Sequence, residues 1–254
     1  MRLLNLNLKI ATFLVLTTGL LLSSCINDPN FPSTPQIDLV DVKFFKGATT
    51  SAPDSLQVTI SFEDGEGDLG LSSNETAAPY NLADYFNNKT GRPIDFSQGG
   101  INLEDLLTYK NRATIDTLPP FEEPFTCTRW TTTPELFSDT TRLQDTVYFQ
   151  FNPRHNNFFV NFYVKESGSF RKIDFREELD CSTTFDGRFP LLNKEDNQNT
   201  PKEGSITYNM QSRAFQAFFG DKTIQLQIRI VDRAGNFSRW VTTDEFKLQD
   251  IQAN

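Results

Sequence analysis

The chain has 254 residues, with 24 basic side chains against 33 acidic ones and a formal net charge of −9. Such an acidic surface repels phosphate backbones, which excludes nucleic acid as a natural partner. One histidine and, apart from Cys25 at the end of the N-terminal apolar run, only the two cysteines Cys127 and Cys181 are too few for a clustered zinc site.

Residues 1–24 read as an export leader. Arg2 and Lys9 supply a positive start, and Ile10–Leu22 is an apolar run broken only by Thr12, Thr17, Thr18 and Gly19. That run is too short to span a bilayer, which takes about 20 apolar residues. It closes on Leu22-Ser23-Ser24-Cys25, which resembles the lipobox of bacterial lipoproteins: an aliphatic residue, two small residues, then cysteine. An ordinary secretory leader with a coincidental cysteine is the alternative. The resemblance implies that Cys25 becomes the first mature residue and carries acyl chains such as palmitate. Several chains exceed the two-signal threshold for stable anchoring. The expected location is the outer membrane, with the periplasmic or surface face left open.

Residues 25–35 then form a lipidated tether, stiffened by Pro29, Pro32 and Pro35. From residue 36 to 254 the chain reads as one β domain. Leu56, Val58, Ile60 and Phe62 alternate with polar residues, as do Ile224, Leu226, Ile228 and Ile230, the period of a half-buried strand. Further strands are expected at Ile37–Phe45, Asp145–Phe151, Phe158–Val164, Phe170–Phe175, Ser205–Met210 and Arg239–Leu248. Residues 152–157 and 165–169 have the composition of hairpin turns. Seven to eight short strands of this kind describe an antiparallel sandwich. Between the second and third core strands, at about 65–144, lies a long loop-rich insertion with short helical patterns at Asn81–Phe86 and Leu103–Tyr109. A third helix is expected at Ser212–Phe219, stopped by Gly220. The 24 phenylalanines point to a core filled by rigid aromatics. In an exported chain Cys127 and Cys181 read as a disulfide, with two buried free thiols as the alternative.

Near the C-terminus, the segment Ile228-Arg229-Ile230-Val231-Asp232-Arg233-Ala234-Gly235-Asn236-Phe237-Ser238 resembles the last hairpin of bacterial immunoglobulin-like and fibronectin-type-III-like modules. Gly235-Asn236 there offers the positive-φ residues of a tight turn. Ser55–Leu71 is similar to the early strand and loop of Bacteroidota surface lipoproteins. The two resemblances imply an immunoglobulin-like sandwich and a Bacteroidota envelope protein, and say almost nothing of a ligand.

The acidic loop after the second strand is the sharpest candidate site. Asp64, Glu66 and Asp68 stand at positions 1, 3 and 5 of a calcium-loop spacing, with Gly70 at 7, Ser72 at 9 and Glu75 at 12. Calcium takes six to eight oxygens, and this spacing sets carboxylates around one loop. Leu69 departs from the glycine expected at position 6, and a strand precedes the loop in place of a helix. A solvated acidic turn is the plain alternative. In an immunoglobulin-like sandwich this loop and the Asp232–Asn236 turn lie at one end, so Asp232 or Asn236 could complete a metal shell.

Asp-Ser/Thr followed by a small or aliphatic residue resembles the O-glycosylation motif of Bacteroidota envelope proteins, and implies glycans at Ser55, Thr117, Thr140 and Thr146 where these are exposed. Little resembles catalytic machinery. His155 sits in a polar turn and is expected to be exposed, and no serine has a nearby histidine to act as its base. Two functions remain: a lipid-anchored binding or structural-interaction module with a protein or glycan ligand, or a carbohydrate-handling lipoprotein, either a glycan binder or a weak glycoside hydrolase. An exposed Trp130 beside convergent acids would favour the second.

Overall fold

A computed structural model describes residues 30–49, 51–95, 103–112, 115, 118, 129–131, 146–179, 183–192 and 200–253. Phe31–Asn254 form one compact unit. Its strands in chain order are β1 (Gln36–Phe45), β2 (Asp54–Asp64), β3 (Ala83–Tyr85), β4 (Trp130–Thr131), β5 (Val147–Phe151), β6 (Phe158–Glu166), β7 (Ser169–Ile173), β8 (Lys202–Ser212), β9 (Ile224–Ile230), β10 (Val241–Thr242) and β11 (Gln252–Ala253). The α-helices among the described residues are short: α1 (Phe175–Glu178) and α2 (Phe215–Phe219). Among the described residues no helix is long and apolar enough to cross a membrane.

Two four-stranded sheets form a sandwich, one ordered β11-β1-β2-β8 and the other β10-β9-β6-β7. All pairings in them are antiparallel except the short parallel contact of β11 with β1. The alternation read from the sequence is what builds the interface. Leu56, Val58 and Ile60 on β2 and Ile224, Leu226, Ile228 and Ile230 on β9 are all fully buried in one shared core. Each such side chain contributes about 1.5–3 kcal/mol of burial. Phe158 of β6 stacks on Tyr208 of β8 at 4.1 Å between ring centroids, tying one sheet to the other. Six phenylalanines fill the end of the core away from Asp64. Phe162 lies 5.4 Å from Phe219 and 5.1 Å from Phe175, and Phe185 stacks on Phe215 at 5.0 Å, with Phe218 against Phe219.

Several expected elements take another form. Asp145–Phe151 does not join the sandwich: β5 is the centre of a separate three-stranded sheet, β3-β5-β4, built with the insertion. The turn at 152–157 therefore joins two different sheets and closes no hairpin. Asn81–Phe86 holds the short strand Ala83–Tyr85 and not a helix, because Ala83 and Tyr85 share one buried face against Val147 and Phe149. Leu103–Tyr109 makes a single 3-10 turn at Leu103–Asp105. Beyond it Leu106 enters one small core and Leu107 another, which only extended backbone permits for adjacent residues. Arg239–Leu248 contributes only β10 and a bridge at Phe246 before a 3-10 turn at Leu248–Ile251. The turn at 165–169 is the expected hairpin, with positive φ at Ser167 (51°) and Gly168 (89°), as a two-residue type I′ loop requires. The leader, Cys25, Cys127 and Cys181 lie outside the described residues.

Candidate functional site

Strand directions decide what meets at the loop end. β2 ends at Asp64 and pairs there with Lys202, where β8 begins; Phe158, which opens β6, faces Ile230, where β9 ends. The segments that leave these strands, 65–75, 152–157, 187–192 and 231–236, are therefore gathered at one end of the sandwich.

Two glycines shape the acidic loop. Gly67 has φ 64° and Gly70 has φ 104°, while the position between them, Leu69, is a core residue only 2 % exposed. The bend is thus made on either side of position 6, and the loop is not wound as a helix-flanked calcium loop. Asp64 is completely buried; its Oδ2 accepts from the Asp68 amide at 3.1 Å, and its Oδ1 has no hydrogen-bond partner. Asp68 is half-buried; its Oδ2 accepts from the Ala234 amide at 3.0 Å, and its Oδ1 too is buried without a partner. Asp232, also buried, organises the second turn: its Oδ1 accepts from the Gly235 and Asn236 amides, both at 2.7 Å, and its Oδ2 from the Asn236 side-chain amide at 2.8 Å. Only Gly235 has positive φ there (96°); Asn236 holds the turn through its side chain, contrary to the expectation that both would adopt it.

One carboxylate oxygen from each of Asp64, Asp68 and Asp232 lies within 4.8 Å of the others. Burial, then the charge of Asp68, pushes the Asp64 carboxyl up to about 6, against the pull of the Gly67 and Asp68 amides. Asp68 is raised as well, first by burial and then by Asp232. These are acids held close together in a poorly solvated place, the surroundings in which carboxylates share a proton or a cation.

The remaining residues of the expected metal loop divert elsewhere. Glu75 faces Arg233 in a two-pronged ion pair, Oε1 at 2.6 Å from Nη2 and Oε2 at 3.0 Å from Nη1, and Arg233 holds its carboxyl below the usual range. A carboxylate so engaged is not a metal ligand, and Glu75 is withdrawn from that set. The Gly70 carbonyl lies 3.5 Å from Arg233 Nη1. Glu66 is half-buried and stands outside the three-oxygen group, although its charge reaches Asp68. The Ser72 amide donates to Glu75 Oε2 at 2.7 Å, capping the same ion pair.

Arg188, which nothing in the sequence singled out, ties the loop end together. Nη1 donates to the Ser72 and Glu75 carbonyls, Nη2 to the Tyr80 carbonyl, and Nε to the His155 carbonyl, with Nη2 also 3.1 Å from His155 Nδ1. Four of its N–H donations thereby end on backbone carbonyls of three segments. His155 is half-buried against Tyr80 and Arg188 instead of exposed. Asn157, 1 % exposed, clamps the 187–192 segment by exchanging two hydrogen bonds with the Phe189 backbone.

Two cavities open at this end, one beside Arg188 and the other beside Arg154. One, of about 650 Å³, is lined by Leu71, Ser72, Thr76, His155, Arg188 and Leu191. The other, of about 540 Å³, lies over Pro79, Asp84, Ile94, Asn152 and Arg154, and shares Thr76 with the first. Trp130 does not line either: it is 1 % exposed between Tyr109 and Tyr148 in its own small core. Ser55 lies in the doubly paired β2 with its hydroxyl donating to Asn209, and Thr146 is half-buried just before β5. Thr117 and Thr140 lie outside the described residues. No protein-family model matches the chain, and neither a curated protein nor a solved structure matches it.

Proposed function

We propose that the protein is a lipid-anchored cell-envelope protein of the Bacteroidota type, held through Cys25, whose immunoglobulin-like sandwich serves as a binding or structural-interaction module. Leu22-Ser23-Ser24-Cys25 supports the anchor. The sheet orders β1-β2-β8 and β10-β9-β6-β7 support the immunoglobulin-like and fibronectin-type-III-like relation. The observation that carries the binding reading is the loop end itself. Arg188 and Arg233 spend their hydrogen bonds fixing four separate segments, and two cavities meeting at Thr76 lie on the surface so fixed. Both volumes fall in the range of about 300–1,000 Å³ usual for ligand sites. Trp130, whose exposure would have favoured the carbohydrate reading, is buried, whereas Trp240 is exposed.

Photo-crosslinking in cells tests the module directly. A benzophenone amino acid at Thr76 is expected to capture a discrete partner that the same probe at Ser169, on the hairpin at the other end, does not. Capture of the same species from both positions, or from neither, overturns the reading. For the anchor, Cys25→Ala is expected to lose palmitate labelling and to leave the membrane fraction.

A further inference from the structure

We propose that Asp64, Asp68 and Asp232 form a calcium site that staples the loop after β2 to the turn after β9. The inference is independent of the lipid anchor and of any partner at Thr76.

Buried oxygens with nothing donating to them carry the argument. Asp64 is 0 % exposed and its Oδ1 has no hydrogen-bond partner; Asp68 Oδ1 is in the same condition, and both carboxylates belong to the three-oxygen group. An acceptor taken from water without a replacement donor is strongly disfavoured, and an ionised one more so. Among the described residues no ion pair involves any of the three carboxylates. The cationic side chain next to Asp232 in sequence, Arg233, is turned to Glu75, and Lys202 Nζ, beside Asp64 in register, donates to the Gly67 carbonyl at 3.0 Å. A cation among the three oxygens would supply what the protein withholds.

The oxygens are also held in place before any ion arrives. Asp64 is the last residue of a central strand, Asp68 is fixed by the Ala234 amide, and Asp232 by three donors from its own turn. Hydrogen bonds of this outer kind orient ligands and raise affinity. The ligand set contains only carboxylate oxygen, with neither imidazole nor thiolate, which selects a hard cation. Calcium–oxygen distances of about 2.3–2.6 Å allow two ligands on opposite sides of one ion to stand about 5 Å apart, so calcium accepts this spread of oxygens. Asp64 and Asp68 come from the loop and Asp232 from a turn more than 160 residues later, so one ion would close the loop end as a covalent cross-link would.

Calorimetric titration of calcium chloride into the detergent-purified full-length protein, freed of metal by a chelator, tests this together with thermal unfolding of the same samples. One saturable site and a raised midpoint are expected. Asp68→Asn keeps the shape and the Ala234 hydrogen bond but removes a charge; it should weaken calcium binding by about a hundredfold, on the scale over which ligand charge tunes such sites. In chelator the same variant should melt at or above the wild-type temperature, because it relieves repulsion. A merely structural hydrogen-bonding role would give the opposite sign. Asp64→Asn serves as the second variant if Asp68→Asn does not fold. The proposal is overturned by the absence of heat and of a midpoint shift up to about 10 mM calcium, tenfold above the weakest such modules. Unchanged affinity in Asp68→Asn overturns it as well, and equal affinity for magnesium overturns the choice of calcium.

Discussion

Gly70→Ala measures how tightly the acidic loop is seated. At Gly70 the backbone has φ 104°, and an added Cβ would stand 2.4 Å from the Pro190 carbonyl oxygen and 2.5 Å from Leu191 Cα. Both obstacles are backbone, so neither can swing aside. Gly168 supplies the control: its φ is 89°, but nothing lies within 4 Å of the added atom. Gly168→Ala therefore meets only the conformational penalty of a left-handed alanine, about 1–2 kcal/mol. Gly70→Ala meets that penalty plus an overlap of the kind that costs about 1–3 kcal/mol in packed interiors. The loss of freedom in the unfolded chain is common to both and cancels. The excess of about 1–3 kcal/mol should lower the melting midpoint of Gly70→Ala by about 2–12 °C below that of Gly168→Ala, at about 2–4 °C per kcal/mol for a domain of this size. Equal midpoints would mean that the 187–192 segment does not press on the loop, and the close seating of Leu69 and Gly70 would be refuted.

Two further outcomes concern charge. In chelator, wild type should lose stability relative to Asp64→Asn as pH rises from about 4 to 7, by at most about 3 kcal/mol at 1.36 kcal/mol per pH unit, because the folded state holds the Asp64 proton up to about 6 and the unfolded chain only to 3.8; a pH-independent difference in urea unfolding would refute it. Glu75→Gln has the reverse sign. Arg233 lowers the folded carboxyl below 4.5, so the Glu75 contribution is present above that pH and fades below it; the variant should be destabilised at pH 7 by about 1 kcal/mol, the worth of a partly exposed ion pair, and match wild type in acid.

How far the fold was legible follows from periodicity. β2 and β9 alternate over their whole length because one face of each lies on the shared core, and that pattern survives in the sequence. β3 and β4 are too short for a period to show. β5 was visible as a strand, yet its sheet was not, since Val147 and Phe149 face one small core and Tyr148 another. A strand buried on both sides announces its existence and conceals its neighbours. Leu106 and Leu107 misled for a related reason: two adjacent leucines suit a helix face in sequence but here serve opposite sides of the same sheet.

At the loop end, sequence spacing and spatial grouping came apart. Asp64 and Asp68 were legible because both lie in one short acidic run, and Asp232 because sheet topology returns the chain to that end after β9. Spacing alone also enlisted Gly70 and Glu75, and it ignores what stands opposite, which for Glu75 is a two-pronged ion pair. Arg233 competes for Glu75, and its position beside Asp232 in sequence puts a cation where the loop spacing supposed a vacancy. Arg188 left no signal, since an arginine whose donors end on backbone carbonyls has no partner residue type to mark it. The consequence is a division of labour at this end of the sandwich. The arginines absorb the carbonyls and Glu75, and among the described residues no ion pair is made by Asp64, Asp68 or Asp232.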